Sequence, residues 1–216
     1  MKNIDPTQHL AAVDPVMRRL IRQIGPYSLQ INTRRSPFEI LARAIANQQL
    51  NGAAAETILR RLVALFPGKK FPTPNDLLTT SEDDIRSAGF SRAKVAALQD
   101  LAAKTLDGTV PLARVIRKLD DDAIVTGLTQ VRGVGRWTVE MLLIFQLGRP
   151  DVLPVDDFGV REGFRVAYGL TDLPKPKELL LHGERWRPHR TAAAWYLWRV
   201  VERVRAARSS AGKKNT

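Results

Sequence analysis

Apolar residues recur at three- and four-residue spacing along nearly the whole chain, and that period restricts it to a helical fold. In DPVMRRLIRQIG, Val16, Leu20 and Ile24 form one stripe, Asp14-Pro15 opens the segment and Gly25 stops it. Ser36-Pro37 opens FEILARAIANQQL, with serine placed to cap and proline at the first helical position. Asn51-Gly52 interrupts, and AAAETILRRLVALF continues with a second amphipathic face. Thr73-Pro74 and Thr80-Ser81 open short helices, and a turn at Gly89 precedes the helix in GFSRAKVAALQDLAAKTLDG. A short helix is expected over 119–128, a strongly apolar one over 136–147, another from Asp156 or Asp157, and a last one over 188–207. Period-two alternation bounded by turns is nearly absent, so the expected fold is all-α. IRSAGFSRAKVAAL and LTQVRGVGRWTVEML share one order: apolar stretch, turn, glycine, basic residue, helix. That echo suggests two related helix–turn–helix units and two lobes.

Charge narrows the partner. The 216 residues carry 34 Lys+Arg against 22 Asp+Glu, a net +12. Such an excess fits a polyanion, most often nucleic acid, although a merely basic protein has the same balance. The absence of cysteine excludes disulfides, thiol catalysis, zinc thiolate sites and iron–sulfur clusters. His9, His182 and His189 have no metal-ligand spacing. No stretch approaches the roughly 18 unbroken apolar residues of a membrane span, and MKNIDPTQHLAAVDP lacks an apolar signal core. The expected location is the cytoplasm, on the nucleoid if DNA is the partner. The ending RSSAGKKNT is polar and basic and is expected to be disordered.

The chemistry concentrates in QVRGVGRW, where Gly133 and Gly135 separate two apolar helical stretches. Exposed N–H groups at the start of the second helix, with its dipole, favour a phosphate, and Arg132 and Arg136 flank the turn. An ordinary corner between two helices fits the same residues. Downstream, LPVDDFGVREGF sets Asp156 and Asp157 where a helix should begin, behind Pro154. One aspartate can cap; the other would stay ionised near the helix N-terminus. A carboxylate beside a turn that grips a polyanion repels it, a cost that catalysis would explain; two solvated cap residues are the plainer alternative. GVGRW lacks the lysine and length of a P-loop, and no Ser-His-Asp triad is visible.

These stretches, with PFEILARAIANQQLNGAAAETI and GERWRPHRTAAAWYLWR, resemble the helix–hairpin–helix (HhH-GPD) superfamily of base-excision DNA glycosylases, in its DNA-3-methyladenine glycosylase II, or alkylbase, branch. The matches keep the family's order between residues 37 and 199. The resemblance implies two helical lobes flanking a cleft. An N-terminal segment, 1–36, would pack with the C-terminal lobe; 37–112 would carry a wedge; 113–207 would hold the hairpin and the catalytic residue; 208–216 would be a basic tail.

The activity implied is hydrolysis of the N-glycosidic bond of alkylated purines in double-stranded DNA, by a monomer without a cofactor. Asp157 matches the family's essential aspartate and Asp156 its neighbour, which would serve stability if it caps the helix. Trp137 stands where bifunctional relatives carry a Schiff-base lysine, so no strand cutting is expected. Trp198 matches an aromatic pocket position, and an indole face attracts a cationic base. Met141 replaces a tyrosine of some relatives, which leaves the pocket's shape open. Either tryptophan could instead be plain core. Gln49, or its neighbour Leu50, would fill the gap left by an extruded base, with Asn51 in the minor groove; Gln48 could simply tie a helix end. Arg132, Gly133, Val134, Gly135 and Arg136 would hold phosphate. The main-chain carbonyls of Thr129, Val131 and Val134 would hold a Na+ or K+ ion. Two alternatives stand beside this reading. One is a non-catalytic helix–hairpin–helix DNA-binding or damage-sensing protein, which leaves Asp157 unexplained. The other is a glycosylase for mismatched bases, whose relatives often carry a four-cysteine cluster.

Overall fold

The structure, a computed structural model, describes residues 5–212. Its regular structure is helical, with no strand among the described residues. The helices are α1 (Pro6–Val13), α2 (Pro15–Ile24), α3 (Pro37–Asn47), α4 (Gly52–Ala64), α5 (Pro74–Thr79), α6 (Glu82–Ser87) and α7 (Arg92–Leu106). They continue with α8 (Ala113–Ile116), α9 (Asp121–Leu128), α10 (Arg136–Phe145), α11 (Phe158–Tyr168), α12 (Pro176–Gly183) and α13 (Arg190–Gly212), with a 3-10 turn at Glu184–Trp186. None is long and apolar enough to cross a membrane. The chain divides into two compact units: Met1–Ile31 with Leu143–Thr216, and Asn32–Leu142. The division falls inside α10 rather than near residue 112, because the hairpin at 131–135 is hydrogen-bonded to α7 and to the loop after α3.

In the first unit, buried Leu10, Met17, Phe164, Trp186, Tyr196 and Leu197 form the core. Asp14 joins the two chain segments. Its Oδ1 caps α2 by accepting from the backbone N–H of Val16 at 2.9 Å and Met17 at 3.3 Å. Its Oδ2 accepts from the Tyr168 hydroxyl at 2.6 Å and the Trp186 indole N–H at 3.0 Å, and lies 3.2 Å from His182 Nε2. Burial pushes this carboxyl's pKa up, but the bonds from His182, Tyr168, Trp186 and the Met17 amide together outweigh it and hold the group well below the usual carboxylate range. α11 lies tight against α13: a Cβ at Gly163 would sit 2.2 Å from the Leu197 carbonyl oxygen.

Two expectations for α13 need correction. It starts at Arg190 rather than 188, because the turn before it runs on: Arg187 N–H donates to Glu184 O and His189 N–H to Trp186 O. It also continues to Gly212, so residues 208–212, expected as disordered tail, are helical; the alanines and arginines of RVRAAR favour helix. Residues 213–216, with Lys213 and Lys214, lie outside the described residues.

In the second unit the predicted starts form caps: Ser36 accepts from Glu39 N, Asn51 from Ala54 N and Ser91 from Lys94 N. Leu41, Ile45, Leu62, Leu77, Leu98 and Leu101 are fully buried. α10 stops at Phe145, short of the expected 147, where Gly148 takes a left-handed φ of 67° and Arg149 N–H turns back to Leu143 O.

Candidate functional site

The hairpin is anchored from below by two buried side chains, Val131 and Val134. Val131 N–H bonds Leu128 O, and Val134 N–H bonds Val131 O at 3.0 Å. Gly133 makes the turn with φ of 76°. The Arg132 amide is spent on Asp100 Oδ2 at 2.7 Å, so Arg132 can offer a phosphate its exposed guanidinium but not its backbone N–H. The amides of Gly133 and Gly135, both exposed, donate to no acceptor among the described residues. A hairpin built this way presents two glycine amides where a phosphate oxygen can approach. Arg136 is also exposed, with its charge paired to buried Glu140 at 2.9 Å. Burial pushes the Asp100 carboxyl up, but the Arg132 amide and Lys104, 2.5 Å from Oδ1, hold it below its ordinary value. Sequence reasoning missed Asp100 because it reads as one more charge on an amphipathic helix.

Beside the hairpin stands the loop between α3 and α4. Gln49 is exposed and sits at φ of 58°, the only non-glycine with positive φ among the described residues. Leu50 is 39% exposed. Asn51 caps α4, with its Oδ1 accepting from Ala54 N at 2.9 Å. Gln48 reaches the hairpin instead of only tying its own helix end: its Nε2 donates to Gly133 O at 2.7 Å. Lys94 Nζ donates to Ala46 O and Gln48 O, both at 2.8 Å, and burial lowers its pKa. Also in this unit, Trp137 is 49% exposed on α10, one turn before half-buried Met141.

The first unit holds the carboxylate. Asp157 is the N-cap of α11: its Oδ1 accepts from Val160 N at 2.8 Å and from Trp198 Nε1 at 2.8 Å. The reading of Asp156 as the cap is thereby overturned; Asp156 is exposed, and only the residue directly before the first helical turn reaches its third amide. Trp198 is half-buried and stacks on Phe145 with centroids 5.6 Å apart. Gly159 makes the approach possible, since a Cβ there would lie 2.9 Å from Trp198 Cδ1 and 3.1 Å from Asp157 Oδ1. The structure thus joins Asp157 to Trp198, and the hairpin to the Gln48 loop. Phe158, 61% exposed next to Asp157, escaped the sequence reading; its signal was an aromatic at a helix start, directly after an acid pair.

No group of three or more His, Cys, Asp or Glu among the described residues could hold a metal ion. The hairpin carbonyls are a different donor set. Val131 O keeps a second lone pair after accepting from Val134, and neutral oxygens suit a monovalent cation.

A family model described as HhH-GPD superfamily base excision DNA repair protein matches residues 42–188, which include the Gln48 loop, the hairpin and Asp157. The chain belongs to this superfamily. Among HhH-GPD relatives, DNA-3-methyladenine glycosylase 1 of Schizosaccharomyces pombe is 39% identical over 193 residues, covering 89% of this chain and 85% of that protein. A solved structure of 3-methyladenine DNA glycosylase from the same yeast, in complex with abasic DNA, aligns with a TM-score of 0.79 over 89% of this chain and 94% of that one. A DNA-3-methyladenine glycosidase from Bacillus halodurans, 30% identical, aligns with a TM-score of 0.82 over 91% of this chain and 89% of its own. The HhH-GPD fold is therefore shared along nearly the full length.

Proposed function

We propose that this HhH-GPD protein is a monofunctional DNA glycosylase that hydrolyses the N-glycosidic bond of alkylated purines of the 3-methyladenine type in base excision repair. The product is an abasic site in double-stranded DNA. The observation that carries the chemistry is the double hydrogen bond on Asp157 Oδ1, which fixes the carboxylate's plane. When the bond to the base breaks, positive charge builds on C1′ and the ring oxygen of the sugar. A preorganised anion stabilises that state and can orient the attacking water. A purine alkylated on a ring nitrogen is already cationic, so it leaves without a strong general acid. Trp198 takes two parts in this reading: its indole edge orients Asp157, and it contributes to the base pocket. Trp137 has no amine to attack C1′, which supports base release without strand cutting.

The other unit supplies the hold on DNA. The amides of Gly133 and Gly135 and the guanidinium groups of Arg132 and Arg136 grip phosphate without reading sequence. Gln49 fills the space of the extruded base, with Leu50 beside it and Asn51 toward the minor groove. The exposed indole of Trp137 attracts a cationic base, and Met141 adds a polarizable, adaptable neighbour. The carbonyls of Thr129, Val131 and Val134 would hold Na+ or K+, whose charge would favour the phosphate. The protein acts as a monomer in this reading.

Release of methylated purines from duplex DNA, compared between wild type and Asp157→Asn, tests it. The asparagine carbonyl can accept the same two hydrogen bonds, so the variant folds and loses only the charge. Release should fall by roughly 10²–10³-fold, the scale of one preorganised electrostatic contact. Full activity in the variant would remove Asp157 from the mechanism.

A further inference from the structure

We infer that Gln48 is a positioning residue that locks the loop bearing Gln49 to the hairpin, so that entry into the duplex and grip on its backbone share one register; this rests on the proposed function. Gln48 is pinned at three points. Its N–H donates to Ile45 O at 3.4 Å, its carbonyl accepts from Lys94 Nζ at 2.8 Å, and its Nε2 donates to Gly133 O at 2.7 Å. Finishing α3 does not require that last bond, because Lys94 already satisfies the carbonyls of Ala46 and Gln48. The side chain instead spans 85 residues of sequence to the glycine that makes the hairpin turn. Gly133 offers its N–H outward while its carbonyl is held by Gln48, and the preceding amide, that of Arg132, is held by Asp100. Gly133 is thus clamped from both sides, and one of the clamps is the residue next to the wedge.

The conformation of Gln49 gives the second reason. A non-glycine residue at φ of 58° persists only where its surroundings over-determine it. Here the fixed neighbour supplies that constraint and turns the Gln49 side chain out into solvent. An extended loop with a loose Gln48 would not hold Gln49 in that conformation, and insertion would cost additional ordering of the loop.

The test uses the full chain under single-turnover conditions with DNA saturated by protein, which removes differences in affinity. Two readouts run together: release of methylated purine, and fluorescence of 2-aminopurine placed beside the lesion, which reports unstacking. Gln48→Met keeps the side chain's length and removes the donor. Release and unstacking should each fall about three- to tenfold, the effect of one neutral hydrogen bond. Gln48→Lys, which can donate to the same carbonyl, should restore both. In a Gln49→Ala background the same Gln48→Met change should cost less than twofold, because the group it positions is gone. Wild-type behaviour of Gln48→Met, failure of Gln48→Lys to restore, or a full additive loss in the Gln49→Ala background would each overturn the inference. A wild type that unstacks DNA, and loses that ability in Gln48→Met, yet releases no base would sink the proposed activity and leave the positioning role standing.

Discussion

Two donors converge on one oxygen of Asp157: the amide three residues on in its own helix and the Trp198 ring from α13. The first bond belongs to folding, since it caps α11; the second ties the orientation of the charge to a helix that arrives late in the chain. Trp198→Phe separates the two. Stacking on Phe145 is retained, the indole N–H is lost, and the cap remains. We expect stability to drop by about 1 kcal/mol in urea unfolding, and, on the proposed function, base release to fall roughly tenfold, because a carboxylate that rocks would be a poorer electrostatic partner for the sugar. Unchanged release in Trp198→Phe would confine the ring to a packing role. At this scale the sequence was only partly readable. Asp157 and Trp198 could be singled out by residue type and family pattern. Their bond could not, because it depends on an empty space at Gly159 that only the packed helices define. The same holds for Asp100 and Gln48, whose partners lie 32 and 85 residues away.

Among the elements, several helix starts were legible from local capping. Asp14-Pro15, Ser36-Pro37 and Thr73-Pro74 each form the cap that their residue types favour, within three residues. Three helices escaped: α8, which has no side-chain cap, α12, whose proline start follows a lysine, and α1, although Asp5 caps it ahead of Pro6. Ends were harder, since they answer to packing; α13 overran its expected limit and α10 fell short of it. Close packing also decides the pairing of α11 with α13. Gly163→Ala would push a methyl into the Leu197 backbone, which cannot rotate away as a side chain can. A loss of about 3 kcal/mol is expected, read as a lowered melting temperature. A variant as stable as wild type would mean that α11 can slide along α13 without penalty.

For the whole molecule, the buried charge of Asp14 sets a limit in acid. Its folded pKa is depressed, so its contribution is complete above the unfolded carboxyl's value, near 3.9, and is lost as pH falls through the lower folded value. Asp14→Ala should cost about 3 kcal/mol at pH 7, since Tyr168 and Trp186 lose a buried acceptor. The gap between wild type and variant, measured by urea unfolding at several pH values, should narrow below about pH 4. A gap that stays constant into strong acid would mean that the carboxyl is not ionised in the fold. All-helical architecture was visible in periodicity. The division into units was not, because it follows contacts between chain segments far apart rather than any break in composition. That division matters while the chain is being made. The unit with the hairpin draws only on residues 32–142, whereas the one with Asp157 joins 1–31 to residues beyond 142. Residues 32–142 therefore leave the ribosome as one uninterrupted stretch that can pack before residue 143 is made, whereas the core in which Asp14 meets Trp186 closes only after segments on both sides of that stretch have been synthesised.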